Sequence, residues 1–153
     1  LDGRQFTAVT LDYNRKMDIC MIYIKDLNAD VEEVKISSDA PKEGDKVFNI
    51  ASPYGIHFKN IVPIFEGRYN GKQGFRSFYT FEAAPGSSGS MILNNRGELI
   101  GLLHSVYRKM NTVVVSANYG DLKAFIAKAI IDHKKSKETN MRYKPWPTPS
   151  GKL

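Results

Sequence analysis

Cysteine is almost absent from this 153-residue chain, in which Cys20 is the single example. One thiol excludes an intrachain disulfide framework and a cysteine-rich zinc site, and it is compatible with a reducing compartment. We expect Cys20 itself to be a small buried residue of an apolar strand. The sequence also lacks an internal repeat, a phosphate-binding loop and any metal-ligand spacing. These absences predict a protein that uses neither a metal nor an organic cofactor.

Long apolar runs are missing as well, since no stretch approaches the roughly 18 residues that a membrane-spanning helix needs. No charged-then-apolar signal segment opens the chain, and its first residue is Leu1 rather than Met. We therefore expect a processed product or a fragment that has no membrane contact. Hydrophobic residues make up 42% of the chain, which is enough apolar surface to exclude a mainly disordered protein.

Acidic residues are outnumbered by basic ones, 16 against 22, which gives a formal net charge of +6. Much of the excess lies in the last 20 positions, where six basic residues stand against Glu138 alone. Such a segment is typical of a solvated tail, and the alternative is contact with nucleic acid or an acidic partner. Trp146, between Pro145 and Pro147, is a candidate for anchoring this tail to another surface.

Segments rich in β-branched and apolar residues, bounded by turn residues, predict eight to ten short strands. The candidates cover residues 6–11, 18–25, 31–37, 46–51, 59–69, 75–83, 90–93, 98–106 and 113–116. The pair Asn70–Gly71 predicts a hairpin turn. Over Asp121–His133 the apolar residues recur at helical spacing, which predicts a terminal helix that starts near Asn118 or Gly120. The pattern is typical of an all-β antiparallel barrel or sandwich with one C-terminal helix.

The segment with the strongest chemical signal is the small-residue loop Ala84-Pro-Gly-Ser-Ser-Gly-Ser90. A nucleophilic serine needs a tight turn that exposes its hydroxyl, and backbone N–H groups that converge on a developing oxyanion. The glycines on either side of Ser87-Ser88 permit such a turn, because glycine accepts a positive φ. By itself this short pattern is more typical of an ordinary turn than of a catalytic serine.

The context of the loop resembles the trypsin/chymotrypsin-like serine peptidases, in particular the HtrA-type and the viral chymotrypsin-like processing branches. Three further segments match: residues 15–24 resemble the strand that opens with the family's triad aspartate, 43–55 the first strand and turn of its second barrel, and 121–133 its C-terminal helix. The resemblance covers roughly residues 6–133 and implies a chymotrypsin-like double β-barrel with an incomplete first barrel and a C-terminal helix. The implied regions are 1–42 for the remaining first barrel, 43–120 for the second barrel, 121–134 for the helix and 135–153 for the tail.

The resemblance also implies the site. Ser88 would be the nucleophile, the N–H groups of Gly86 and Ser88 would form the oxyanion hole, and Asp18 would orient the general base. Asp12 is the rival aspartate, and Ser87 and Ser90 are the rival serines.

The chain departs from the family pattern at the general base, because no histidine precedes Asp18. Three explanations stay open: the histidine belongs to a segment or chain outside these 153 residues, the protein is a catalytically inactive relative used for binding or structure, or a histidine of this chain substitutes. Without a base, a serine hydroxyl is a poor nucleophile at neutral pH.

The three histidines of the chain have different interpretations. His57 is predicted to lie in a loop, and His133 at the helix C-terminus, where a cation suits the dipole. In the viral branch a histidine placed like His104 lines the pocket for the residue before the cleaved bond and favours Gln or Glu. Thr80 or Glu82 would face the same pocket, and Glu82 would instead favour a basic side chain.

The function that the resemblance implies is a serine endopeptidase that acts on polypeptides, either in processing of viral or phage polypeptides or in protein quality control. The alternative is an inactive peptidase-fold protein, such as a structural or binding component of a virion. The sequence leaves the location open; if the protein is viral, the host cytoplasm or a virion is compatible with it.

Overall fold

A computed structural model describes residues 5–24, 27, 32–56, 61–107 and 110–138. These belong to two compact units, which are described separately: Leu1–Val31 with Phe125–Leu153, and Glu32–Ala124. The second unit thus begins before the predicted boundary at 42/43. His57, Trp146 and the basic tail beyond 138 lie outside the described residues.

In the first unit, β1 (Ala8–Asn14) and β2 (Ile19–Ile24) form an antiparallel two-stranded sheet. The Asn14 carboxamide oxygen accepts hydrogen bonds from the N–H groups of Lys16 and Met17 at 3.0 and 3.1 Å, which shapes the turn between the strands. Met17 and Ile19 occupy the buried positions, so the alternation of the strand leaves Cys20 exposed. The prediction that Cys20 is buried is therefore wrong.

The second unit contains a closed barrel of six antiparallel strands in the order β3-β4-β5-β8-β7-β6. Their bounds are β3 Lys46–Ile50, β4 Ile64–Gln73, β5 Arg76–Thr80, β6 Met91–Asn94, β7 Leu99–Tyr107 and β8 Met110–Ala117. The barrel lies within the range predicted for the second barrel. Closure pairs β3 with both β4 and β6, which leaves neither edge of the sheet open.

Alternating apolar side chains fill the barrel. The core cluster combines aliphatic and aromatic residues: Val47, Tyr69, Tyr79, Phe81, Ala83, Ile92, Ile100, Leu103, Val114 and Tyr119. Burial, and secondarily the nearby Tyr69, raises the pKa of Tyr79, so its phenol stays protonated and donates to the Ile100 carbonyl at 3.4 Å. Tyr79 and Phe81 thus form part of the core.

Two local predictions are wrong. Residues 32–37 form no strand, because Ile36 makes only an isolated parallel bridge to Leu99. Asn70–Gly71 is not a hairpin turn but an irregularity within β4, where Gly71 adopts a φ of +119°. The chain reverses instead at Gly74, which has a φ of +57°. The asparagine–glycine pair supplies the positive φ of a bulge rather than that of a turn.

The terminal helix α1 spans Tyr119–Glu138, so it starts where it was predicted, near Asn118 and Gly120, and ends beyond the predicted range. Asn118 is its N-cap: the side-chain oxygen accepts from the Asp121 N–H at 3.0 Å, while the Asn118 amide donates to the Asp121 carboxylate at 2.6 Å. His133 does not close the helix as predicted, because the helix continues to Glu138. Its ring packs against Tyr23 with centroids 4.6 Å apart. Among the described residues, no helix is long and apolar enough to cross a bilayer.

Candidate active site

The serine loop, residues 83–90, connects β5 to β6 through two consecutive tight turns. In the first, the Ser87 N–H donates to the Ala84 carbonyl at 3.0 Å; in the second, the Ser90 N–H donates to the Ser87 carbonyl at 3.1 Å. Each turn has glycine at its third position with a positive φ, +98° at Gly86 and +82° at Gly89. Proline at the second position and a positive φ at the third are the signature of a type II turn, which the first turn therefore matches.

The three serines of the loop differ in exposure and in hydrogen bonding. Ser88 is exposed, while Ser87 is 1% exposed and its hydroxyl has no hydrogen-bond partner in the described part of the chain. The hydroxyl of Ser90 is held by Asn49 at 2.8 Å. Of the three hydroxyls, only that of Ser88 is therefore presented to a molecule in solvent.

The orientation of the first turn is fixed by the segment after β3. The Tyr54 N–H donates to the Pro85 carbonyl at 2.6 Å. The described residues contain no cis peptide, and in a planar trans peptide the C=O and the following N–H point in opposite directions. The Gly86 N–H is consequently turned away from Tyr54. In the described residues, neither it nor the Ser88 N–H donates a hydrogen bond, so both donors are free to bind an anion.

The segment after β3 leaves little room for a side chain at Gly86. A Cβ at this position would lie 2.9 Å from the Tyr54 nitrogen and 3.0 Å from the Ser52 carbonyl oxygen. Tyr54 itself has a positive φ of +53° within the 3₁₀ turn Pro53–Gly55. The sequence identified this turn only as the end of a strand, because its contact with the loop uses backbone atoms and leaves no side-chain signature.

Strand β7 holds the other side of the loop. The Gly89 N–H donates to the Leu103 carbonyl at 2.7 Å, and the Leu103 N–H donates to the Ser90 carbonyl at 2.9 Å. Leu103 is buried in the barrel, and the next residue, His104, is half-buried at an irregularity in the pairing of β7 with β8. Its Nδ1 lies 2.9 Å from the Ser105 hydroxyl. His104 therefore lies one residue beyond the backbone contact with the serine loop.

Thr80 and Glu82 are exposed on the outer side of the wall. Thr80 ends β5, and its hydroxyl accepts a hydrogen bond from the Asn70 amide of β4. Strand β8 lies between β5 and β7, so Thr80 and His104 are on strands that do not pair with each other. That they share one pocket stays a prediction.

Asp18 belongs to the first unit, in the turn that precedes β2. It is exposed and has a positive φ of +52°, a conformation that aspartate tolerates better than most residues. Its role as the orienting acid stays a prediction. Among the described residues, no cluster of histidine, cysteine and carboxylate groups could hold a metal ion.

A family model described as trypsin-like peptidase domain matches residues 1–102. A probable serine protease do-like from Buchnera aphidicola subsp. Acyrthosiphon pisum is 30% identical over 129 residues, 79% of this chain and 25% of the relative. The periplasmic serine endoprotease DegP of Salmonella typhimurium is 28% identical over 127 residues, with the same coverage of 79% and 25%. This chain thus spans about a quarter of the length of the curated relatives it matches.

The active form of the Rv3671c protease from M. tuberculosis has the same fold, with a TM-score of 0.69 at 14% identity over 84% of this chain and 60% of that one. Together with the closed barrel and the terminal helix, this likeness confirms the predicted chymotrypsin-like, all-β fold class. The family match covers both the Asp18 segment and the serine loop. The chain belongs to the trypsin-like peptidase domain family.

Proposed function

We propose that this chain supplies the nucleophile, the oxyanion donors and the orienting acid of a serine endopeptidase that cleaves polypeptides. The observation that carries the proposal is the exposed Ser88 hydroxyl on a double turn whose Gly86 and Ser88 N–H groups are free to bind an anion. The family match and relatives that are named endoproteases support the same reaction class.

The reaction proceeds through an acyl-enzyme. Ser88 Oγ attacks the carbonyl carbon of the scissile peptide bond while its proton passes to the base, and the N–H groups of Gly86 and Ser88 stabilise the oxyanion. The protonated base then gives its proton to the leaving amine. Water attacks the resulting ester by the same steps in reverse and releases the acid product and Ser88.

The base in this proposal is a histidine from outside these 153 residues, either from a preceding segment or from a partner chain that completes the first barrel. Asp18 holds its imidazole in the productive tautomer and stabilises the imidazolium. The sequence supports this assignment, because Asp18 directly precedes an apolar strand as in the family pattern. The third explanation, a histidine of this chain, has His104 as its natural candidate, since His104 lies next to the loop contact at Leu103.

Substrate selection is assigned to the outer face of the barrel wall. His104 recognises the residue before the cleaved bond and favours Gln or Glu, with Thr80 or Glu82 as further contributors. If Glu82 dominates, its carboxylate favours a basic side chain instead.

The basic tail is a candidate for weak contact with nucleic acid or an acidic partner. Such binding weakens steeply as the salt concentration rises.

The relatives bear on the biological role. They are bacterial, and several are named periplasmic endoproteases, so they favour a bacterial type of protease over processing of viral polypeptides. Protein quality control is the role that we retain. The alternative function that we keep is an inactive peptidase-fold binding protein.

Reaction of the full-length protein with a fluorophosphonate probe, followed by mass mapping, decides between the two functions. We expect a single adduct on Ser88 that is absent from Ser88→Ala, whereas Ser87→Ala and Ser90→Ala retain it. An unlabelled but folded full-length protein would support the inactive relative and reject the peptidase. Labelling at Ser87 or Ser90 would reject the assignment of the nucleophile.

A further inference from the structure

Asn49 is a fully buried amide in a strand whose other inward residue is apolar. It lies on β3 and is 0% exposed, as is Val47 two residues earlier. Because alternate residues of a strand face the same side, both side chains point into the barrel. Its partners in register, Phe65 on β4 and Ile92 on β6, offer no polar side chain. A buried amide in such surroundings destabilises the fold unless its hydrogen-bonding groups are used.

The side-chain amide of Asn49 donates its hydrogen bonds to the end of the serine loop. Nδ2 donates to the Ser90 hydroxyl oxygen and to the Met91 carbonyl oxygen, both at 2.8 Å. These two residues are where the loop ends and β6 begins. In the described part of the chain, no other side chain makes a hydrogen bond to residues 83–91. Asn49 Oδ1 has no partner there, so both hydrogen bonds of this side chain go to the end of the loop.

The loop is therefore fixed at three places. Tyr54 binds the Pro85 carbonyl and Leu103 binds Gly89 and Ser90, but these are backbone contacts that many sequences could make. The third place depends on the side chain of Asn49, and it lies two to three residues after Ser88. A displacement of about 1 Å in a reacting group can lower a rate by about two orders of magnitude. The position of Ser88 is thus sensitive to this one amide.

We infer that Asn49 is a positioning residue for the serine loop: acting through Ser90 and Met91, it holds the Ser88 hydroxyl and the oxyanion N–H groups in one arrangement. The catalytic consequence rests on the proposed function. The structural part rests on the two hydrogen bonds and is measurable whether or not the protein is a peptidase.

Hydrogen exchange of the full-length protein tests the structural part. In Asn49→Ala we expect the amides of Gly89 and Ser90 to exchange about tenfold faster relative to the Phe81 amide, which donates to Thr112 within the barrel wall. Asn49→Leu keeps the number and branching of the side-chain heavy atoms, removes both N–H donors and should show the same change. Asn94→Ala is the matched control: it truncates an amide at the opposite end of β6, and we expect it to leave the ratio unchanged.

Fluorophosphonate labelling of the same variants tests the catalytic part. We expect the rate constant for Ser88 labelling to fall about tenfold in Asn49→Leu, which corresponds to about 1.4 kcal/mol, and to stay at the wild-type value in folded Asn94→Ala. A role in stability alone would lower the melting temperature of both variants and the labelling rate of neither. Should the Asn49 variants fail to fold, Ser90→Ala removes one of the two acceptors at a half-buried position and should show the same changes at smaller size.

The outcomes separate the two claims. Unchanged relative exchange at Gly89 and Ser90 in these variants would overturn the role of Asn49, whatever the labelling shows. Faster exchange together with slower labelling would support it in full. Faster exchange in a protein that is never labelled would uphold the positioning of the loop and reject the peptidase.

Discussion

The serine loop contains two glycines that both have a positive φ but differ in their surroundings. Both Gly86 and Gly89 have a positive φ, +98° and +82°. A Cβ on Gly86 would lie 2.9 Å from the Tyr54 nitrogen, whereas one on Gly89 would find nothing within 4 Å. The two positions therefore separate the effect of crowding against the neighbouring segment from that of backbone strain alone.

Replacement of these glycines by alanine gives unequal losses. In Gly86→Ala the methyl group pushes the turn away from Tyr54 and misplaces a proposed oxyanion donor, so we expect Ser88 labelling to slow by about 100-fold. Gly89→Ala costs mainly strain of about 1–2 kcal/mol and should lower the melting temperature with less than about a tenfold loss of rate. Labelling kinetics and thermal unfolding of both variants check this. Equal losses of rate would contradict the crowding at Gly86.

At this scale the sequence predicted the exposed serine but not its supports. Ser88 is flanked by glycines, and that pattern is visible in one dimension. Tyr54 acts through its N–H, which every residue except proline possesses, so its side chain gives no signal. Asn49 did leave a signal, a lone polar residue inside an apolar strand. The sequence does not show which partner this residue contacts. The register of β3 with β6 places its side chain where it donates a hydrogen bond to Ser90.

At the scale of elements, the turn Asn94–Gly97 between β6 and β7 is reinforced by charge. The Gly97 N–H donates to the Asn94 carbonyl at 3.0 Å, and Glu98 receives hydrogen bonds from Arg96 at 2.9 Å and from the Asn94 amide at 2.8 Å. The Arg96 hydrogen bond, followed by that of Asn94, lowers the pKa of Glu98 from about 4.5 to about 2. The folded state thus favours the ionised carboxylate.

This shift predicts a dependence of stability on acid. Because the folded-state pKa of Glu98 lies below its unfolded value, the stabilisation is complete above about pH 4.5 and is lost as the pH falls through about 2. We expect the melting temperature of the wild type to fall more steeply over this interval than that of Glu98→Gln, which cannot titrate. Thermal unfolding at a series of pH values makes the comparison. Parallel curves for the two proteins would show that the hairpin contacts do not form in solution.

Strands and helices were predicted correctly where hydrophobic periodicity is strong. The predictions failed where the presence of a partner strand determines whether a strand or a turn forms. The barrel strands and α1 were found because their apolar residues repeat with the period of a strand or a helix. Residues 32–37 carry the same alternation, yet their only ladder contact is the bridge at Ile36, so no strand forms there. Asn70–Gly71 has the composition of a hairpin turn, but β4 continues through it to Gln73. Local sequence does not reveal whether a partner strand is present.

At the scale of the whole molecule, the groups proposed for catalysis come from different parts of the chain. The proposed nucleophile and oxyanion donors belong to the barrel unit, the proposed acid Asp18 belongs to the other unit, and no histidine of this sequence precedes it. Three explanations for the base follow from the sequence alone. Since the curated relatives are about four times longer than the part matched here, the full-length protein is the molecule in which to distinguish them.

The pH dependence of Ser88 labelling in the full-length protein identifies the base. An imidazole acts only when neutral, so we expect the rate to rise with pH through an apparent pKa near 6.5 and then level off. If the base precedes Asp18 outside this segment, alanine at that histidine should remove the rise and lower the rate by about 10²- to 10⁴-fold, while His104→Ala keeps the pH profile. If His104→Ala removes the profile instead, the base lies within this chain, and the assignment of an external histidine is wrong. A rate without any step near neutral pH would exclude a histidine base altogether.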